Sequence, residues 1–223
     1  MKPVSPRVVG RLSLYRRLLL NVRQHGMALI HSQGLADLAG YTAVQVRRDL
    51  MVLGYNGTPT RGYDVAQLLE HLDSYLNPGE VQRVVLAGVG NLGRAILSHL
   101  SALRPKLKIV ASFDVDASLY GRVIAGCHCY GADRLEDIVR QEGATIGIIA
   151  VPAAAALETA GAMVRGGIRG IMNFAPAPLR VPPTVYVEDV DIAMSLDRAA
   201  FFAGRVPEGV EAEGRMEGVH EES

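Results

Sequence analysis

Tryptophan is absent from the 223 residues, and cysteine occurs only twice, as Cys127 and Cys129. So few thiols exclude a disulfide-stapled secreted scaffold. No apolar stretch approaches the ~20 residues needed to span a bilayer. The N-terminal MKPVSPRVVGRLS carries neither an apolar h-region nor a small-residue cleavage site. A soluble cytoplasmic protein is the expectation. Net charge is missing too, with 23 basic against 23 acidic side chains. For a chain acting as one body, that balance argues against a nucleic-acid partner, because such domains are usually basic. What is present is 49% apolar and 21% charged residues, enough to build a core. At roughly 100–200 residues per domain, the length accommodates one large domain or two small ones.

The pattern of the chain changes near Asn77-Pro78-Gly79, a strong breaker and the expected boundary. Before it, helical spacing dominates. Leu12, Tyr15, Leu18, Leu19 and Val22 recur three and four apart in an amphipathic helix stopped by Gly26. Residues 31–40 follow with Ser32 as N-cap and Leu35, Ala36 and Leu38 as apolar face. A helix over 42–54 begins on Thr42 as a second N-cap and ends at Gly54. Residues 55–65 (YNGTPTRGYDV) read as a hairpin or turn, and 65–76 as a further helix. After the boundary, short apolar runs at 83–90, 108–116, 127–130, 145–152 and 168–174 alternate with helical segments. That alternation predicts a parallel sheet covered by helices on both faces. The last eighteen residues hold six glutamates and few apolar anchors, and read as an acidic flexible tail. Charge divides with the pattern. Residues 1–80 carry nine Lys/Arg against six Asp/Glu, or +3, and residues 81–223 carry fourteen against seventeen, or −3.

Gly88-Val89-Gly90-Asn91-Leu92-Gly93 fits G-x-G-x-x-G between an expected strand and an expected helix. There, backbone N–H groups and the helix dipole face a pyrophosphate. Gly88 permits the tight turn, Gly90 lets phosphates approach, and Gly93 lets helix and strand pack. Asp114 lies twenty-one residues beyond Gly93 at the end of the next strand. An acid there accepts from the adenosine ribose hydroxyls and repels a 2′-phosphate, favouring NAD(H) over NADP(H). A hydride-transfer enzyme also needs an acid/base group near the nicotinamide. His99 and His128 sit in no such context, and about seventy residues after Val151-Pro152 are too few for a substrate domain. Strand alternation turns Cys127 and Cys129 to one face and His128 to the other, so the three do not form a zinc site, and the thiols are read as buried and inert.

Three helices and a glycine-containing hairpin outline a winged helix-turn-helix, whose helix after the turn enters the major groove. On 42–54, Val44, Leu50 and Leu53 are expected to face the core. Gln45, Arg47, Arg48 and Asp49 are expected near the exposed side, where arginine pairs with guanine and glutamine with adenine. Arg61 in the hairpin is placed to reach a minor groove or phosphates. An ordinary solvated basic face accounts for Arg47-Arg48 equally well on periodicity alone.

Taken together, Gln45-Val46-Arg47-Arg48-Asp49-Leu50, Gly54, Gly57, Arg61-Gly62-Tyr63, the glycine loop, Phe113-Asp114-Val115-Asp116, Val151-Pro152, Asn173-Phe174-Ala175-Pro176 and Val190-Asp191 resemble the Rex family of redox-sensing repressors. The resemblance covers residues 12–202. It implies a winged-helix domain (1–79), a Rossmann NAD(H)-binding domain (80–188), a C-terminal helix exchanged between subunits (189–205) and the tail (206–223). The implied partners are a second copy of the chain and a palindromic operator, with no membrane, and NADH displaces the DNA-reading domains. The residues expected at NADH or NAD+ are Gly88, Val89, Gly90, Asn91, Leu92, Gly93, Asp114, Val151, Pro152, Asn173, Phe174 and Ile192. Those expected at DNA are Ser32, Thr42, Gln45, Arg47, Arg48, Arg61 and Tyr63. Arg17, His99 and Asp191 are expected in a polar network coupling the domains. No catalytic or metal site is implied.

Two departures from the family pattern stand out. His99 replaces a usual tyrosine, which would make the switch pH-sensitive. The wing reads GTPTRGY (57–63), in which Pro59 stiffens the tip and moves the arginine to Arg61. The alternatives are a small NAD-dependent oxidoreductase, a CoA-binding domain like that of succinyl-CoA synthetases, and a purely structural interaction protein.

Overall fold

A helix of nineteen residues, α1 (Pro6–Gln24), opens the first of two units, Met1–Glu80 and Val81–Ser223, in the computed structural model. The structure describes residues 4–55, 57–58, 60–77, 79, 81–103 and 106–205. The acidic tail and the expected stiffening at Pro59 lie outside those residues.

In the first unit α1 buries Leu12, Tyr15, Leu19 and Val22. It is followed by β1 (Leu29–Ile30), α2 (Ser32–Ala39), α3 (Ala43–Leu50), β2 (Tyr63–Asp64) and α4 (Val65–Leu76). The α2-to-α3 turn is set by Gly40, left-handed at φ 70°, after which the Thr42 side chain accepts from the Gln45 amide at 3.2 Å. Thr42 is thus the N-cap expected of it. Ser32 is not: the α2 N-cap is His31, and Ser32 is the first helical residue. Asp64 caps α4 by accepting from the Gln67 amide at 2.9 Å. β1 and β2 pair antiparallel, and the bridge between Thr58 and Gly62 narrows the loop before β2 into a wing. One cluster of buried apolar side chains from α1, α2, α3, α4 and both strands holds these pieces together.

The second unit is a seven-stranded sheet. Its strands are β3 (Gln82–Ala87), β4 (Leu107–Asp114), β5 (Val123–Ile124), β6 (Cys127–Gly131), β7 (Ile146–Ile149), β8 (Gly170–Asn173) and β9 (Tyr186–Asp189), in the order β5-β6-β4-β3-β7-β8-β9. All neighbours are parallel except β5 and β6. From β6 to β9 this is the doubly wound order, whose reversal between β3 and β7 opens a crevice at the carboxyl ends of the strands. The helices are α5 (Asn91–Leu103), α6 (Leu135–Glu142), α7 (Ala153–Gly166) and α8 (Ile192–Ala203). Alternation along β3 feeds two cores. Val84 and Leu86 join the α5 side, while Val85 and Ala87 join the α6 and α7 side.

Sequence periodicity does not reveal β5 or β9. β5 is two residues long, and β9 follows a proline-rich stretch (176–184) that hides its start. Cys127 and Cys129 are free and buried while His128 is exposed, so the strand alternation holds. Burial pushes both thiols above their ordinary pKa.

Candidate functional site

The second unit's cleft begins where β3 runs out. Gly88, at φ 94°, donates to the Phe113 carbonyl at 2.8 Å and turns the chain sharply into α5. A Cβ on Gly88 would lie 2.3 Å from the Ala150 carbonyl oxygen, and one on Gly93 only 1.9 Å from the Gly88 carbonyl oxygen. Both glycines are therefore demanded by the fold itself. Gly90 differs, because nothing lies within 4 Å of where its Cβ would be. The space beside it is open.

Asp114, half-buried at the end of β4, holds the loop from the other side. Its Oδ2 accepts from the Val89 amide at 2.7 Å and its Oδ1 from the Asp116 amide at 3.0 Å. Arg94 Nε donates to the Val89 carbonyl at 3.0 Å, so Val89 is held by both its N–H and its C=O. Beside the loop lies a cavity of about 1070 Å³, whose walls include Gly88, Gly90, Leu92, Asp114, Val151, Pro152 and Phe174. That is ample for a ligand of dinucleotide size. The expected residues thus divide. Those seven line the cleft. Val89, Asn91, Gly93, Asn173 and Ile192 are not among its described wall residues. Asn173 is buried and committed within the chain: its Nδ2 donates to the Ala177 carbonyl and Asp189 Oδ1, and its Oδ1 accepts from the Ala175 amide. It braces the β8–β9 edge.

One wall went unforeseen. Ala154, Ala155, Glu158, Thr159, Ala162 and Arg165 present a single face of α7 to the cavity. Helical spacing and the run of four alanines at 153–156 were the available signal, since small side chains at a helix start leave room for a ligand. Glu136, also at the cavity, accepts from Arg165 at 2.8 Å and Arg140 at 2.9 Å. Those two bonds hold its carboxyl below the usual carboxylate range.

In the first unit the exposed face of α3 carries Val44, Arg47 and Arg48, while Val46, Asp49 and Leu50 are buried. Two expectations are reversed: Val44 faces solvent at 60% exposure, and Asp49 is buried, while Leu50 takes its expected core position alongside Val46. Asp49 is sequestered, accepting from Arg11 Nε at 2.6 Å, Arg11 Nη2 at 2.8 Å, the Tyr15 hydroxyl at 3.0 Å and Gln45 Nε2 at 2.8 Å. Burial alone would raise its pKa, but the bonds from Arg11, Tyr15 and Gln45 outweigh burial and hold it below the ordinary value. The cluster ties α3 to α1.

Arg47 Nη1 donates to Ser32 Oγ at 2.9 Å, which joins two of the expected DNA residues. Arg48 and Arg61 are exposed. Tyr63 departs from expectation: its ring is buried under the wing, where a Cβ on Gly57 would touch it, and burial pushes its hydroxyl pKa up. It supports the wing instead of projecting from it. Of the expected coupling residues, Arg17 on α1 and His99 on α5 are exposed. Asp191 caps α8 by accepting from the Met194 amide at 2.8 Å. Among the described residues no cluster of His, Cys, Asp and Glu has metal-binding geometry.

Comparisons with known proteins meet this geometry on both units. The family model "Putative DNA-binding protein N-terminus" matches residues 3–50, and "CoA binding domain" matches residues 80–177. The redox-sensing transcriptional repressor Rex of Carboxydothermus hydrogenoformans is 38% identical, over 86% of this chain and 93% of its own. That of Rhodopirellula baltica is 38% identical over 89% of this chain and 84% of its own. Among solved structures, RSP in complex with β-NAD+ and operator DNA is 31% identical with a TM-score of 0.84, covering 92% of this chain and 94% of its own. RSP in complex with β-NADH gives a TM-score of 0.82 at 31% identity, over 92% and 96%.

Proposed function

The chain belongs to the Rex family of redox-sensing transcriptional repressors, and from that premise we propose how its residues divide the work. The first unit binds operator DNA through the exposed face of α3 and the wing. The second unit binds NADH and NAD+ in the glycine-loop cleft. NADH releases the operator, so transcription follows the NADH/NAD+ ratio. One observation carries this division: a single chain holds an outward Arg47–Arg48 face in one unit and, in the other, a glycine loop whose Gly90 opens onto a large cleft.

The residues at the cleft suit NAD(H). The N–H groups at the start of α5 and the positive end of that helix suit a pyrophosphate. Asp114 spends one acceptor site per oxygen on the Val89 and Asp116 amides. A carboxylate has about four such sites, so two remain for ribose hydroxyls. The same negative charge disfavours a 2′-phosphate. Val151, Pro152 and Phe174 supply apolar walls. The nucleotide acts here as a signal: the curated relatives are repressors, and this chain is a repressor and not an enzyme. The family model named for CoA spans only the second unit. A thermal shift that is larger with CoA than with NADH would favour that second reading.

Operator binding is assigned to Arg47, Arg48 and Arg61, with Ser32 and Thr42 at the helix starts where backbone N–H groups meet phosphates. Arg17, His99 and Asp191 are assigned to coupling between domains. The assembly is a homodimer on a palindromic site, with α8 exchanged between subunits. No helix among the described residues is long and apolar enough to cross a membrane, and the assigned location is the cytoplasm, where operator and nucleotide pool meet.

NADH lowers operator affinity only insofar as it favours a state that does not bind DNA. Linkage then requires operator DNA to weaken NADH binding by the same factor. The test is a gel shift on a palindromic duplex selected by the protein from a randomised pool, titrated separately with NADH and NAD+. NADH is expected to release the duplex while NAD+ leaves it bound. Identical NADH affinity with and without saturating duplex would overturn the mechanism.

A further inference from the structure

The outward stripe of α3 is not a plain basic face. Val44 in the first turn is 60% exposed, followed by exposed Arg47 and Arg48. These residues follow the i, i+3, i+4 spacing of one helical surface. A solvated face gains nothing from a β-branched hydrocarbon, whose helix propensity is below that of Lys, Glu or Ala. Val44 keeps most of its surface open to solvent, and the core position beside it is already taken by Val46, with no exposed surface. The polar groups around it are partly committed. Gln45 Nε2 donates to Asp49, and Arg47 Nη1 is held by Ser32.

We propose that Val44 is a specificity-determining residue that reads the C5-methyl group of a thymine in the operator's major groove. The proposal rests on α3 being the DNA face. In that geometry the N-terminal residues of the reading helix meet base edges, and Val44 is the second residue of α3. Thymine alone among the bases carries a methyl group at the major-groove edge, where apolar side chains recognise it. Packing that methyl against the valine removes both hydrocarbons from water. Arg47, oriented by Ser32, and Arg48 supply the flanking charge that draws the backbone close. Met51 is 69% exposed but lies seven residues beyond Val44, past the end of α3, so it is not assigned this contact.

The experiment is a chemical double-mutant cycle. The full-length protein is assayed without NADH on its selected duplex, and on versions in which each thymine in turn is replaced by deoxyuridine, which lacks only the methyl. In the wild type, one symmetry-related thymine position is expected to weaken binding about fourfold per half-site on replacement, the size of one buried methylene-scale contact. In Val44→Ala that penalty disappears, and in Val44→Ile and Met51→Ala it persists. Because Val44 is exposed, Val44→Ala is checked by an unchanged urea midpoint. The inference is overturned if every deoxyuridine penalty survives in Val44→Ala, or if the penalty vanishes in Met51→Ala instead. If the double variant Arg47→Ala/Arg48→Ala binds the selected duplex as tightly as wild type, the reading of α3 as the DNA face fails, whatever the thymines show.

Discussion

Three glycines of one loop are distinguished by what a single methyl group would meet. On Gly93 it would collide with the Gly88 carbonyl, and on Gly88 with the Ala150 carbonyl, in a backbone conformation that side chains avoid. Backbone atoms cannot swing aside. Gly88→Ala and Gly93→Ala are therefore expected to lose about 2–3 kcal/mol or more in urea unfolding, even without nucleotide. Gly90 has a negative-φ or extended backbone and open space in front of it. Gly90→Val should keep the urea midpoint and operator binding, yet abolish release by NADH in the gel shift. Asp49 makes a second residue-scale case. In Asp49→Asn one of the two accepting oxygens becomes an NH2 donor set against the donors of Arg11, Tyr15 and Gln45, and the charge that pairs with Arg11 is lost. Asp49→Asn is expected to cost about 2–4 kcal/mol at neutral pH. Its folded pKa is held below the unfolded value of about 3.9. Its stabilising contribution is thus fully present above about pH 4 and is lost as pH falls through the lower, folded value. Denaturation from pH 7 to pH 2 should show the gap between wild type and Asp49→Asn constant at first, then closing below pH 4.

Among the elements, the β5–β6 hairpin shows how local chemistry can run against the fold. Its register pairs Ile124 with Cys127, leaving Ala125 and Gly126 as a two-residue turn with φ of 48° and 82°. Such turns need positive φ at both positions and favour Asn-Gly. Ala125 is the one non-glycine with positive φ among the described residues. Ala125→Asn should stabilise the protein by about 0.5–1 kcal/mol, read as a higher thermal midpoint, with NADH affinity unchanged. Alternation was enough to foresee β6 and its inward thiols, because a strand's side chains must alternate. β5 was invisible, since two residues carry no period. In α3 the periodicity located the helix and its Thr42 cap but misassigned Val44 and Asp49. The place of Asp49 was decided by Arg11 and Tyr15, more than thirty residues away in sequence, which make a carboxylate worth burying.

At the scale of the whole molecule, a helix without a buried residue demands an explanation. α8 exposes Ile192, Met194, Leu196, Phe201 and Phe202. An apolar surface of that kind marks an interaction site, in keeping with the proposed exchange between subunits. Leu196→Asp and Phe202→Asp, at positions 68% and 66% exposed, are expected to shift light scattering from twice the chain mass to the single-chain mass. An unchanged mass would count against α8 as the dimer contact. Charge also acquires meaning at this scale. The 23-to-23 balance combines a +3 segment (1–80) with a −3 segment (81–223), and six of the glutamates lie in residues 206–223. Neutrality of the sum therefore describes neither segment, and the proposed operator face lies on the positive one.

By itself, the sequence determined the features whose causes are local. The strand–glycine loop–helix at 83–103, Asp114 at its distance, the helix-turn-helix spacing and the change of pattern near residue 78 all follow from turn chemistry and hydrophobic period, which act between near neighbours. Only the tertiary structure decided which glycine is open, that Asn173 and Tyr63 are braces, that α7 walls the cleft, and that Val44 looks outward. Each depends on which atoms a folded chain brings within a few ångströms from distant positions, and periodicity carries no record of those partners.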